Sequence, residues 1–219
     1  MIEWDSIDTV LLDMDGTLLD LYFDNFFWTE HIPRVYADKN QISERASSEL
    51  LNRRLSEGRG TLAWYCIDHW SKQLDLDIPS LKRELQHMVA LRPHALEFLK
   101  QLHSSDRDVV MVTNAHRKTL DIKMDHVDIT PWFDRIVVSH ELHAAKEEQA
   151  FWHRLQDLHP FDPSRTLLID DTASVLHSAH QYGIAHLLTL LQPDSRQQKR
   201  SVTDFPGIHH FDEIMPDAL

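Results

Sequence analysis

The chain has 219 residues, of which 42% are hydrophobic and 26% are charged, a composition typical of soluble globular proteins. Its formal net charge of -13 argues against a binder of polymeric nucleic acid, which needs clustered Lys and Arg, but allows a small phosphorylated substrate. The single cysteine, Cys66, excludes an internal disulfide, and the acidic segment MIEWDSID and the absence of a long apolar run predict no secretory signal and no membrane span. We therefore expect a cytoplasmic protein.

The first predicted element is a short apolar strand, Thr9–Leu12, which runs directly into Asp13, Asp15, Gly16 and Thr17. An apolar run that stops at acids and a glycine is typical of a buried parallel strand with polar residues at its carboxyl end. Ligands bind at that edge in open α/β sheets. Because the two carboxylates are two residues apart where the backbone turns, they can face one site, and this stretch predicts a metal site.

Residues 19–91 carry helical rather than strand patterns. Helices are predicted at 21–39 and 43–55, and another at about 80–89 after Pro79. Between them, Thr61 is the predicted N-cap of a single helix, in which Leu62, Cys66, Trp70 and Leu74 recur every four residues. We interpret 19–91 as an all-helical cap domain inserted into a core domain formed by 1–18 and 92–219.

From Arg92 onward, predicted strands and helices alternate. The predicted strands are 108–112, 135–138, 166–169 and 186–190. Of the predicted helices, the first follows Pro93, the second spans about 116–127, the third carries Phe151 and the fourth ends at Gly183. This alternation predicts an α/β fold with a doubly wound, Rossmann-like parallel sheet. Residues 195–200 (SRQQKR) read as a polar loop, and 205–219 as a segment that packs back through Phe211 and Ile214.

Polar residues follow the predicted strands and come together only through the fold. Asp13 and Asp15, Thr113, Lys146, and the pair Asp170 and Asp171 occur in that order along the chain. Taken singly, each has an ordinary structural explanation, such as a helix cap, a turn or a solvated lysine. Together on one edge, the acids and the lysine predict a cation and an anion between them, and a hard divalent ion such as Mg²⁺ fits oxygen ligands.

Four motifs now point to a family. DMDGTLL, the strand end VVMVTNA, Lys146 and LLIDD resemble the four motifs of the haloacid dehalogenase-like hydrolase superfamily, and the helical insertion resembles its C1-type cap. Over nearly the whole chain the sequence is also similar to bacterial GMP/IMP nucleotidases, in segments such as LAWYCIDHWSKQLDLDI, KEEQAFWH and RTLLIDDTASVL. The resemblance implies a Mg²⁺-dependent phosphatase that hydrolyses purine nucleoside 5′-monophosphates, IMP and GMP, through an aspartyl-phosphate.

The resemblance also implies roles for individual residues. Asp13 is the expected nucleophile and Asp15 the acid that protonates the leaving oxygen and then activates water. Asp13, the backbone carbonyl of Asp15, and Asp171 are the expected metal ligands, with Asp170 behind them. The residues expected to act on the phosphoryl group are Thr113 and the backbone amide of Asn114, which would bind its oxygens, and Lys146, which would neutralise its charge.

Cap residues are the expected source of substrate specificity. The aromatic residues of the cap domain could stack on a purine base. Most aromatic residues at helical spacing in a small bundle are core residues, however, as we expect for Trp70. Phe23 and Asn25 directly follow the first motif and are the predicted substrate-facing residues. Cys66 is interpreted as a small buried hydrophobic residue. Of the 16 scattered histidines, His116 is the one expected nearest the site.

Several alternatives stay open on the sequence alone. A sugar-phosphate or phosphoglycolate phosphatase would use the same residues, whereas a dehalogenase is disfavoured because it lacks the second acid of the first motif. A phosphomutase is less favoured, and a catalytically inactive binding module would have no need of two carboxylates there. We expect the partner to be a small phosphate ester and the protein to be a monomer or weak dimer.

Overall fold

The computed structural model describes residues 2–216. Six parallel strands form one sheet in the order β3-β2-β1-β4-β5-β6. Their bounds are β1 Thr9–Leu12, β2 Asp108–Thr113, β3 Arg135–Val138, β4 Thr166–Ile169, β5 His186–Leu190 and β6 Gly207–Ile208. The predicted α/β fold with a parallel sheet is confirmed. The two-residue β6 is the one strand among these that the sequence patterns did not predict.

Helices cover both faces of the sheet. Their bounds are α7 Ala95–His103, α8 Arg117–Met124, α9 Gln149–Leu158 and α10 Ala173–Tyr182. Alternate residues of β1 point to opposite faces: Val10 and Leu12 join a buried cluster with α7 and α8, whereas Leu11 joins another with α9 and α10. Because β1 is buried on both faces, it reads as a continuous apolar run, as parallel strands do.

The segment between β1 and β2 is helical, as predicted. Its α-helices are α1 Tyr22–Phe26, α2 Ile32–Asn40, α3 Glu44–Ser56, α4 Leu62–Tyr65, α5 Ile67–Leu74 and α6 Ile78–Glu84, with a π-helix at Phe27–His31 and a 3-10 helix at Gln86–Met88. These helices pack around their own buried cluster, which includes Phe27, Leu51 and Trp70. The burial of Trp70 agrees with its predicted core position. The domain boundaries at 18/19 and 91/92 stay predictions.

The prediction of a single helix after Thr61 is wrong. The segment forms two short helices, α4 and α5, because the backbone of Cys66 is extended (φ -84°, ψ 109°) and separates them. The Cys66 thiol is only half-buried and accepts a hydrogen bond from the backbone N–H of His69 at 3.4 Å. Cys66 is therefore the N-cap of α5 rather than the buried hydrophobic residue that the spacing indicated.

The described part of the predicted C-terminal segment, residues 205–216, packs back on the sheet as predicted, and residues 217–219 lie outside the described residues. Phe211 and Ile214 lie in the same buried cluster as Val10, in a 3-10 helix spanning Phe211–Ile214. Gly183 ends α10 with a φ of +111°, the left-handed conformation expected at that position. Among residues 2–216, none of the helices is long and apolar enough to cross a membrane.

Candidate active site

The turn after β1 brings two carboxylates to the edge of the sheet. Strand pairing continues one residue beyond β1, since the N–H of Asp13 donates to the carbonyl of Ile169 at 3.0 Å. The chain then folds back on itself, with the N–H of Gly16 donating to the carbonyl of Leu19 at 2.8 Å. Asp13 is buried and Asp15 half-buried on this turn, at the edge predicted from the sequence.

Lys146 contacts acids at the carboxyl ends of β1 and β4. Its buried ammonium donates to Asp13 Oδ1 at 2.5 Å, to Asp170 Oδ2 at 2.6 Å and to the carbonyl of Val112 at 3.1 Å. Burial alone would lower the pKa of Lys146, but the two adjacent carboxylates raise it above its ordinary value, so the lysine stays charged. Burial raises the pKa of Asp13 to about 6, although Lys146 opposes this shift.

Three buried acids form a cluster that fits a divalent cation. Asp13, Asp170 and Asp171 each offer a carboxylate oxygen, and these oxygens lie within 4.8 Å of one another. Lys146 contacts two of the three, whereas the nearest cation to Asp171 within the described residues is Arg200, at 3.6 Å from Asp171 Oδ2. Burial and the neighbouring acids raise the pKa of Asp171 to about 8. This excess of negative charge is what a hard cation with oxygen ligands would compensate.

Asp170 and Asp171 differ in how their carboxylates are used. Both oxygens of Asp170 accept hydrogen bonds, one from Lys146 and the other from the N–H of Thr172 at 2.8 Å. Asp171 accepts a longer hydrogen bond, 3.2 Å, from the Thr172 hydroxyl. The Asp171 carboxylate thus accepts fewer and longer hydrogen bonds than the Asp170 carboxylate.

Asp15 contacts a lysine that the sequence analysis missed. Lys123, on α8, is buried and its ammonium lies 2.5 Å from Asp15 Oδ1 and 2.5 Å from Asp24 Oδ2. Burial raises the pKa of Asp15 to about 6, and Lys123 opposes this shift. A raised pKa suits a carboxyl group that both donates and accepts protons.

Thr113 and Asn114 lie at the end of β2, as predicted. The Thr113 hydroxyl accepts a hydrogen bond from the N–H of Ala115 at 3.0 Å. The Asn114 side chain accepts from the N–H of Lys146 at 3.0 Å and donates to Glu147 at 2.9 Å. The side chain of Asn114 thus fixes the segment that carries Lys146, while the predicted binding of phosphate by its backbone amide stays a prediction.

The two predicted substrate-facing residues are engaged within the protein. Phe23 is 1% exposed and packs in the core cluster, with the ammonium groups of Lys82 and Lys123 at 4.9 and 5.2 Å from the ring centroid. The expectation that Phe23 faces a substrate is therefore corrected: its ring serves two buried cations. Asn25 donates to Asp194 at 2.7 Å and remains partly accessible, so its proposed role is untested.

Several residues near these acids escaped the sequence analysis because they come from distant segments. Tyr65 of α4 donates to Glu147, at 2.6 Å, and so connects the helical insertion to the Lys146 segment. His116, expected near the site, is the N-cap of α8 and stacks edge-on against His140 at 5.0 Å. The other missed residues are Lys82, Lys123, Asp24 and Arg200.

Sequence comparisons find similar proteins over most or all of the chain. The sequence model described as haloacid dehalogenase-like hydrolase matches residues 10–189. The GMP/IMP nucleotidase YrfG of Escherichia coli (strain K12) is 35% identical over 218 residues, covering 100% of this chain and 98% of that protein.

Solved structures share the fold. A HAD phosphatase from Thermococcus onnurineus superposes with a TM-score of 0.78 at 18% identity, covering 94% of this chain and 95% of that one. The putative HAD-hydrolase YfnB from Bacillus subtilis, bound to magnesium, gives 0.66 at 19% identity, covering 94% and 96%. The sequence model that matches residues 10–189, together with the relative that is 35% identical over the full length, shows that the chain belongs to the haloacid dehalogenase-like hydrolase family.

Proposed function

We propose that this protein is a Mg²⁺-dependent phosphomonoesterase of purine nucleoside 5′-monophosphates, with IMP and GMP as substrates. One observation carries the chemistry: a buried carboxylate, Asp13, is held against Lys146 and beside two further acids at the edge where α/β sheets bind ligands. The choice of purine nucleotides rests on the full-length similarity to the GMP/IMP nucleotidase.

The proposed first step is attack of the Asp13 carboxylate oxygen on phosphorus. The bond between phosphorus and the ester oxygen breaks, and that oxygen takes a proton from the Asp15 carboxyl. Lys146 balances the negative charge that collects on the nucleophile and the phosphoryl oxygens. A pKa of about 6 for Asp13 supports this role, since the carboxylate is then ionised at neutral pH.

The proposed second step returns Asp13 to its free form. The Asp15 carboxylate takes a proton from water as the water oxygen attacks phosphorus, and the bond between phosphorus and the Asp13 oxygen breaks to release phosphate. One group thus serves as acid and then as base, and a pKa near 6 supports both roles.

We propose that Mg²⁺ is held by Asp13, Asp171 and the backbone carbonyl of Asp15, with Asp170 behind them. The cluster of buried carboxylates and the less engaged Asp171 support this assignment. When bound, the cation adds positive charge beside the phosphoryl group. Asp170 would instead orient Lys146, to which it is hydrogen-bonded.

The first experiment is phosphate release from IMP, GMP, AMP, UMP, phosphoglycolate and several sugar phosphates, with Mg²⁺ and with EDTA. We expect Mg²⁺-dependent release with a preference for IMP and GMP. Preference for a small ester would keep the proposed chemistry and discard the substrate, and no release from any ester would contradict the proposal as a whole.

The second experiment replaces the nucleophile by Asp13→Asn, which keeps the size of the side chain and removes the attacking carboxylate. We expect turnover to fall below detection, at least about 10⁴-fold, because no other described group can replace a covalent nucleophile at that strand end. Residual hydrolysis within tenfold of wild type would rule out the aspartyl-phosphate. The cytoplasmic location and the monomer or weak dimer stay predictions.

A further inference from the structure

Four buried or half-buried charged groups form a chain that leads away from Asp15. Lys123 lies between Asp15 and Asp24, 2.5 Å from an oxygen of each, and Lys82 donates to the other oxygen of Asp24 at 2.8 Å. When both carboxyl groups are ionised, the two carboxylates and two ammonium groups make this set neutral overall. Loss of any one member leaves a buried charge without compensation, which proteins tolerate poorly.

The members come from different parts of the fold. Asp15 is on the turn after β1 and Lys123 is on α8, which packs on the sheet, whereas Asp24 is on α1 and Lys82 on α6 of the helical insertion. The chain of charges therefore connects the sheet edge to the insertion. Lys82 and Lys123 are 1% exposed, so water screens these interactions little.

The surroundings restrict where each lysine can point. The Lys82 ammonium lies 4.4 Å from the ring centroid of Phe27 and 4.9 Å from that of Phe23, and Lys123 shares the Phe23 ring. Aromatic faces attract cations and exclude water from them. Aromatic rings of α1 and the π-helix thus surround the Lys82 ammonium, and the Phe23 ring borders that of Lys123, which limits the freedom of Lys123 to leave Asp15.

We propose that Lys123 is a positioning residue that holds the Asp15 carboxyl where it can reach the leaving oxygen, with Asp24 and Lys82 anchoring Lys123 from the helical insertion. This inference rests on the proposed function, in which Asp15 is the general acid. Lys123 itself does not touch the substrate. Its loss would misplace the acid and leave the Asp13 nucleophile intact.

This role predicts a dependence on the leaving group. A ribose hydroxyl leaves as a strongly basic alkoxide unless it is protonated as the bond breaks, whereas p-nitrophenolate is a weak base and leaves without help. A misplaced acid therefore slows the first step for a nucleotide far more than for p-nitrophenyl phosphate. A general loss of structure would slow both equally.

The test is the first turnover of Lys123→Met with enzyme in excess, followed by release of nucleoside from IMP and of p-nitrophenolate from p-nitrophenyl phosphate. This measures formation of the phospho-enzyme without the later water step. We expect nucleoside release to slow by about 100-fold or more, the lower end of the usual contribution of a general acid, and p-nitrophenolate release by less than about fivefold. Equal slowing of both would overturn the proposal.

Two further variants keep the test decisive. Lys118→Met removes another lysine of α8 that contacts the insertion, through exposed Asp68 at 2.7 Å, and should leave the ratio of the two rates unchanged. Asp24→Asn keeps Lys123 but weakens its anchor, and should slow nucleoside release by about tenfold with little effect on p-nitrophenolate. It provides the readout if thermal unfolding shows that Lys123→Met does not fold.

Failure of the substrate assignment is separable from failure of this inference. If wild type prefers another alkyl phosphate to IMP, that ester replaces IMP and the same ratio is measured. If wild type releases phosphate from no ester, both proposals fall. If Lys118→Met shifts the ratio as much as Lys123→Met, contact between the insertion and the sheet is responsible and the positioning role is overturned.

Discussion

The Asp171 carboxylate lies directly against Gly16, a residue that has no side chain. Gly16 has a φ of +82°, which other residues adopt with strain, and it allows the turn that exposes Asp15. A Cβ at this position would lie 2.7 Å from Cγ of Asp171, closer than side-chain atoms approach. Gly16 thus serves both the turn and the acidic cluster.

The substitution Gly16→Ala should therefore impair the site more than the fold. We expect the left-handed conformation to cost about 1–2 kcal/mol of stability, and activity to fall by about 100-fold or more because Asp171 must move. Chemical unfolding and phosphate release would be measured together. Gly58→Ala is the control, since Gly58 also has a positive φ but its Cβ would approach no atom closer than 3.6 Å. Activity near wild type in Gly16→Ala would contradict the proposed contact.

At the same scale, the four acids of the site and Lys146 could be predicted from the sequence, whereas Lys123 and Lys82 could not. Asp13 and Asp170 directly follow apolar strands, and Asp15 and Asp171 lie within three residues of those strand ends, which is a local signal. Lys123 and Lys82 carry a weaker one: Lys123 lies three residues after buried Leu120, and Lys82 four after buried Ile78, so both occupy the apolar face of a helix. Their partners are 58 to 108 residues away, and nothing local identifies them.

Among the elements, the strands were predicted better than the helices of the insertion. Strands β3, β4 and β5 have the predicted bounds, because a buried parallel strand is a continuous apolar run with polar ends. The break at Cys66 could not be seen, since a four-residue apolar spacing is the same for one helix and for two that meet at a capping residue. Strand β6 has two residues, too few for any periodicity.

The helical insertion contacts the sheet edge through α4. Tyr65 donates to Glu147 at 2.6 Å, and the other oxygen of Glu147 accepts from Asn114, so a cap residue is connected to the segment that carries Lys146. Burial and the adjacent Glu147 raise the pKa of the Tyr65 hydroxyl, which therefore stays protonated and remains a donor. This contact holds α4 against the site.

Replacing Tyr65 by Phe should loosen α4 and leave the sheet intact. The hydrogen bond to a carboxylate is worth about 1.5–3 kcal/mol, so amide exchange in residues 61–75 should accelerate by about tenfold or more. Exchange in α7 should not change. Hydrogen–deuterium exchange with mass spectrometry makes the measurement, and Tyr36→Phe on α2 is the control. Unchanged exchange at 61–75 would show that other contacts hold α4.

For the whole molecule, the acidic cluster links the stability of the fold to the binding of protons and of metal. The chain carries a net charge of -13, and three of its acids are buried together with one shared lysine. Burial raises the pKa of Asp171 to about 8, well above its value in the unfolded chain. Ionising this group in the folded protein is therefore unfavourable without a cation, and the contribution of Asp171 to the stability of the metal-free protein is lost as pH rises from about 4 towards 8.

Mg²⁺ should reverse this loss, because it binds the ionised carboxylates and competes with protons for them. We expect Mg²⁺ to raise the melting temperature more at pH 8 than at pH 6, with EDTA as the reference at each pH. Asp171→Asn removes the group whose ionisation is linked to the metal, so its Mg²⁺ effect should be small and should depend little on pH. An equal rise in melting temperature at both pH values for the wild-type protein would mean that proton release from this cluster is not coupled to metal binding.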